Sequence, residues 1–206
     1  MDTEDNLQAS KDSLRELLRG VSVVQAQQYF DDSPVTLVST PVDHSLGQVL
    51  TRYIATVLLT CDELRVVLKV HFNPEQIRAY RQSKGFSGDD LSDKQMIDFM
   101  KELSNQMGGR VCRIFDAHQI AMGMSIPLCT RGIYEIYADY QAKSGAVAKF
   151  GDFWRLNGPF EFLYCSCYVE LISKEHARHG RTDHVRPHEG TGLPCPHLHA
   201  DHSNQP

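Results

Sequence analysis

The stretch from Leu91 to Phe115, LSDKQMIDFMKELSNQMGGRVCRIF, limits the possible folds of this chain more than any other. At about 100° per residue, Met96, Phe99, Met100, Leu103, Met107, Val111 and Ile114 fall on one side of a helix, an apolar stripe that only a packed layer can cover. The start is well marked. Ser92 can cap, Gln95 stands three residues later, and Leu91 can staple against Met96. Gly108 and Gly109 should each weaken the helix by about 1 kcal/mol relative to Ala, a cost that asks for close packing or for access by a partner. Asp98, Glu102, Asn105 and Gly109 gather on the opposite face. There a carboxylate and a carboxamide stand one turn apart and can engage a single partner group together. Gly109, four residues past Asn105, leaves that surface bare. Spacing alone does not assign chemistry to the pair, because Glu and Asn on a helical face more often serve solubility.

The rest of the chain supplies strands. YIATVLLT and ELRVVLKVHF read as a hairpin turning at Cys61, Asp62 and Glu63, with Leu64, Val66, Leu68, Val70 and Phe72 on a buried face. His71 falls on the wetter face and is expected to be solvated. Asn73 followed by Pro74 starts a short helix that Gly85 ends. Before the hairpin, Leu7, Leu14, Leu17 and Leu18 mark an amphipathic helix with Gly20 as its stop, and VSVVQAQQYF either extends it or begins a second element. Residues 31 to 47, broken by two prolines, read as loop with at most one short strand. After the long helix, IAMGMSIPL, GIYEIYADY and FEFLYCSCYVELI read as three strands. The last is apolar on both faces, Leu163, Cys165, Cys167, Val169 and Leu171 on one and Phe160, Phe162, Tyr164 and Tyr168 on the other, so either helices cover both or the aromatic side meets a second copy. The chain divides into an N-terminal helix and loop (1–47), a central domain (48–174) and a His-rich tail (175–206).

Composition excludes several functions. The apolar fraction of 41% and charged fraction of 23% suit a globular protein, and a net charge of −5 gives no global field favouring nucleic acid or an anionic membrane. The acidic start, MDTEDNLQASKD, has no basic segment leading into an apolar run, and no stretch is long enough to span a bilayer, so a cytoplasmic location is expected. Cys61, Cys112, Cys129, Cys165 and Cys167 sit among apolar neighbours as small reduced fillers, which does not support thiol catalysis. Nothing matches a Ser/His/Asp set, a phosphate-cradling Gly loop or a zinc helix, and His118 reads as structural. In the tail, Cys195, His197, His199 and His202 are candidate ligands for Zn²⁺, Ni²⁺ or Cu²⁺, although the tail's composition favours disorder and any metal there would be accessory.

Over about Arg52 to Leu171 the ordered features resemble the CheX family of chemotaxis phosphatases, within the group that includes CheC and the flagellar-switch phosphatases. The hairpin is followed by NPEQIRAYRQSKG, and then KELSNQMGG matches the family's E-x-x-N signature with small residues after it. MSIPLCTRG is similar to the family's strand ending in Pro, and IYEIYADY follows. The first hairpin is less Gly-rich than in the family, and the acidic N-terminal helix and His-rich tail are additions. The resemblance implies an α+β CheX-like fold, a mainly antiparallel sheet packed with two principal helices plus the N-terminal helical segment, and a homodimer. It implies hydrolysis of the aspartyl-phosphate of a CheY-like response-regulator receiver domain, with no intrinsic cofactor and Mg²⁺ supplied by the receiver. Asn105 would position the attacking water and Glu102 would dock on the receiver's lysine, with Asp98 and Gly109 on the docking strip. Two alternatives stand beside this: a module of the same fold that binds receivers without hydrolysis, and a metal-responsive regulator working through the tail.

Overall fold

A computed structural model of the chain describes residues 3–38, 51–131 and 146–172. Its elements run α1 (Thr3–Tyr29), β1 (Thr36–Val38), β2 (Tyr53–Thr60), β3 (Leu64–Phe72), α2 (Pro74–Ser83), a 3₁₀ turn (Gly88–Leu91), α3 (Asp93–Ala117), β4 (Gly123–Met124), β5 (Leu128–Arg131), β6 (Ala146–Gly158) and β7 (Glu161–Ile172). The strands form one antiparallel sheet in the order β1-β6-β7-β3-β2-β4, with β5 also on β2. The α+β architecture is the expected one, and β2 and β3 pair from Tyr53↔Phe72 to Thr60↔Arg65 around the predicted turn.

One face of the sheet carries the core. Val57, Leu59, Val66, Leu68, Val70 and Trp154 are buried in one cluster with Met96, Met100, Leu103, Met107 and Val111 of α3 and with Leu18, Val21, Ala26 and Phe30 of α1. The α3 stripe therefore lies where its periodicity puts it. Its start is capped as expected, the Gln95 amide donating to Ser92 Oγ. At α2, Asn73 takes the capping position with Pro74 next, but its side chain is used elsewhere, accepting from the Arg52 amide at 2.8 Å.

Several expectations need correction. Gly20 does not stop the first helix. α1 runs through it to Tyr29, because Val21, Ser22, Gln25, Ala26 and Phe30 continue the buried stripe of Leu18, and that burial outweighs one exposed glycine. IAMGMSIPL is not one strand. β4 and β5 are separated at Ser125, whose Oγ accepts from the Leu58 amide and whose own amide donates to the Leu58 carbonyl. The thirteen-residue β6 went unread, although Ala148, Phe150, Trp154 and Leu156 are its buried positions; Asp152 interrupts that apolar pattern and is buried only because Arg19 of α1 grips it through two hydrogen bonds of 2.7 and 2.8 Å.

His71 is not solvated but wholly buried, its Nε2 2.9 Å from Ser166 Oγ. It does lie on the face away from the helices, between Ile54 and Tyr164 in the register, but Phe153 covers it there. Phe160 leaves the aromatic side of β7 altogether. The tight turn at Gly158, where any Cβ would come within 2.8 Å of the Phe160 ring, folds that ring into the core against Phe30. Phe162 and Tyr164 remain outside, Tyr164 stacked on Phe153. The predicted strand GIYEIYADY and the tail ligands Cys195, His197, His199 and His202 fall outside the described residues.

Candidate functional site

α3 is fixed by its buried side and carries the site on its open side. Met96, Met100, Leu103, Met107 and Val111 are each fully buried, so the helix cannot rotate, and the positions between them have a set direction. Asp98 and Glu102 are exposed, and Asn105 and Gly109 half-exposed, on one strip. All four residues expected on that strip are there.

The two adjacent glycines differ. A Cβ on Gly108 would meet Met124 Sδ at 2.9 Å, Val57 Cγ1 at 3.2 Å and Leu59 Cδ2 at 3.3 Å, so this glycine lets α3 sit against the sheet. A Cβ on Gly109 would meet only Arg113 Nη1, at 3.7 Å. The bare patch at Gly109 thus has a guanidinium along its edge. Arg113 also lines, with Arg110, Ile114, Ala117 and His118, a shallow cavity of about 400 Å³ at the end of α3. His118 caps that end and is exposed.

Glu102 and Asn105 contact each other. Asn105 Nδ2 donates to Glu102 Oε2 at 3.3 Å, and Gln106 Nε2 donates to Glu102 Oε1 at 2.9 Å, so each carboxylate oxygen accepts one amide hydrogen bond. Gln106 is an amide one position past Asn105, about 100° around the helix from it and so a poor substitute for it. It is instead the nearest support of Glu102, a contact that the i, i+4 rule applied to Glu102 would have found. Gln25 of α1, which donates to Gln106 Oε1 at 2.9 Å, has no such local signal. Tyr29, also on α1, donates to the Phe99 carbonyl at 2.7 Å and packs at a tilt against the Phe99 ring. Burial, and next the negative charge of Glu102, hold the Tyr29 phenol well above the ordinary tyrosine range, so it stays a donor. Among the described residues Asp98 has a long surface contact with Lys101, 3.7 Å, which suits a solvated residue.

This arrangement can orient a small nucleophile. An amide whose nitrogen is committed to a neighbouring carboxylate keeps its oxygen as an acceptor, and the carboxylate retains lone pairs for a cation. Burial pushes both Cys165 and Cys167 up to about 12 and raises Cys112 and Cys129 as well, so these four stay protonated thiols at neutral pH. Among the described residues, no three His, Cys, Asp or Glu side chains converge as a metal site, and no helix is long and apolar enough to cross a membrane.

No family model and no curated protein matches the sequence. Solved structures do match the fold. The chemotaxis protein CheX from Desulfovibrio desulfuricans superposes with a TM-score of 0.56 at 10% identity, over 77% of this chain and 99% of that one. CheX from Vibrio vulnificus gives 0.56 at 9% identity, over 75% and 97%. A chain in the crystal structure of the CheX-CheY-BeF₃-Mg²⁺ complex from Borrelia burgdorferi gives 0.51 at 10% identity, over 77% and 97%. The fold is CheX-like, as the resemblance of the sequence implied.

Proposed function

We propose, taking the CheX-like fold as premise, that this chain hydrolyses the aspartyl-phosphate of a CheY-like receiver domain. The observation that carries the reading is the outward pair on α3: a carboxamide tied through its nitrogen to a neighbouring carboxylate, on a helix locked by five buried apolar side chains. A fold of this kind is found in the CheX-CheY-BeF₃-Mg²⁺ complex, which gives the partner class its support.

The chemistry asks little of the protein. An acyl phosphate is already activated and the receiver holds its own Mg²⁺, so positioning is the missing contribution. The Asn105 oxygen accepts from a water and holds it in line with the bond from phosphorus to the aspartyl oxygen. Water oxygen bonds to phosphorus, the aspartyl oxygen departs as carboxylate, and inorganic phosphate leaves. A neutral amide adds no repulsion against the phosphoryl oxygens. Glu102 pairs with the receiver's lysine and sets the docking register, with Asp98 and the bare Gly109 on the contact strip. The reading includes a homodimer, the second copy covering the aromatic side of β7 around Phe162 and Tyr164, which molar mass in solution checks.

The test is phosphate release from a panel of phosphorylated CheY-type receivers in Mg²⁺, with wild type, Asn105→Ala and Glu102→Ala. The reading predicts acceleration by wild type and loss in the Asn105 variant. Binding of receivers without any acceleration supports the non-catalytic module in its place.

A further inference from the structure

α1 reaches the proposed site through a chain of side-chain amides, and this gives the N-terminal helix a task beyond packing. We infer that Gln106 and Gln25 form a relay that positions Glu102, so that α1 is part of the docking machinery. The inference rests on the phosphatase reading for its functional consequence and on hydrogen-bond geometry for its substance.

The relay has three members. Gln25 is 6% exposed, in the seam between α1 and α3, and its Nε2 donates to Gln106 Oε1 at 2.9 Å. Using Gln106 Oε1 as acceptor fixes the flip of that amide, which turns Nε2 toward Glu102 Oε1, also at 2.9 Å. Glu102 is thereby held on one side by Gln106 and on the other by Asn105, at 3.3 Å. Each amide has one sensible orientation because its neighbour dictates it.

The seam is rigid where the relay starts. Tyr29 donates to the Phe99 carbonyl, Arg110 donates to Gln28 Oε1 at 3.2 Å, and Phe30 packs on Phe99. An exposed Glu on a helix ordinarily samples several rotamers, and fixing one before a partner arrives removes that ordering cost from binding. Gln106 and Gln25 are positioning residues. They act through Glu102 and touch neither phosphoryl group nor water.

The consequence is a split between binding and turnover. Gln106→Met keeps the length of the side chain and removes both the donor to Glu102 and the acceptor of Gln25. It should raise KM for a phosphorylated CheY-type receiver about fivefold, the worth of one ordinary hydrogen bond, and leave kcat within about twofold. Gln25→Met should move KM in the same direction by less. In a Glu102→Ala background Gln106→Met should change nothing further, since its only route to the partner has gone. A purely structural role predicts a lower Tm with an unchanged KM and full additivity with Glu102→Ala; since loss of the bond to the buried Gln25 lowers Tm on either reading, it is the unchanged KM or the full additivity that overturns the relay.

Side-chain amide resonances in the full-length protein separate this inference from the functional reading. With no receiver present, the Gln106 NH₂ signals should shift in both Glu102→Ala and Gln25→Met. If they do not, the relay is wrong whatever the activity. If they shift but no receiver is bound or hydrolysed, the relay stands and the phosphatase reading fails.

Discussion

Gly108 and Gly109 are neighbours of identical composition, and the structure predicts opposite responses to the same added methyl group. Alanine in the middle of a helix is favoured over glycine by about 1 kcal/mol. At Gly109 nothing opposes that gain, since the new Cβ meets only Arg113 Nη1 at an ordinary 3.7 Å, so Gly109→Ala should stabilise by about 1 kcal/mol. At Gly108 the same gain meets the sheet. Met124 Sδ at 2.9 Å belongs to a flexible, partly exposed side chain and can swing aside. Val57 at 3.2 Å and Leu59 at 3.3 Å cannot, because both are fully buried in β2, which is flanked by β3 and by β4 and β5, and a branched valine is stiff at χ1. Overpacking of this kind costs about 1–3 kcal/mol, which leaves Gly108→Ala between neutral and about 2 kcal/mol destabilised. The two variants should therefore differ by about 1–3 kcal/mol in urea unfolding with equal m-values. Equal stabilisation by both would refute the packing of α3 on β2, and with it the direction in which Asn105 points.

Three other perturbations test the frame that holds the site. Gly20→Ala should stabilise by up to about 1 kcal/mol in thermal or urea unfolding, because α1 is continuous there and a new Cβ meets nothing within 4 Å; no gain would mean the helix ends at this glycine. Phe30→Ala should cost about 3–5 kcal/mol, since the ring is fully buried among Tyr29, Tyr80, Phe99 and Phe160; a loss under about 1 kcal/mol would show that α1 is not part of the core. Stability should fall with rising alkalinity. Cys165 and Cys167 titrate near 12 when folded against 9.0 when free, so between those values the unfolded chain has released protons that the native state retains. The slope of unfolding free energy with pH is then negative, by at most about 1.4 kcal/mol per pH unit for each thiol, and replacing both with Ala should make it shallower, the raised Tyr29 and Tyr80 phenols keeping the remainder.

How much could be read in advance depended on how local the cause was. The α3 stripe and its Ser92 cap, the β2–β3 hairpin and its turn, and the start of α2 at Pro74 follow from signals within a few residues, and each stands where the pattern put it. So do the outward directions of Glu102 and Asn105, since one buried stripe fixes the whole helix. The failures share a different cause. His71 does alternate with Val70 and Phe72, but the face read as wetter is covered there, and its burial comes from Phe153 and Ser166, partners known only once the strands are paired. Asp152 hid β6 for the same reason, as its partner Arg19 is in α1. Gly20 looked like a stop because the propensity of one residue was weighed without the packing of the turns beyond it. Within the site, the contact of Gln106 with Glu102 was accessible from i, i+4 spacing, whereas Gln25 required the seam between α1 and α3.

The central claim is that the Asn105 amide orients water and does not merely hold the partner. The most direct measurement is made on one variant, Asn105→Ala. Its turnover of a phosphorylated CheY-type receiver that wild type dephosphorylates is measured beside its affinity for the same receiver loaded with beryllofluoride and Mg²⁺. The account predicts turnover reduced by about 10²-fold or more, the usual scale for losing a group that acts in the transition state, with affinity within about threefold of wild type. Turnover that survives the substitution, or that falls only in step with affinity, would contradict it.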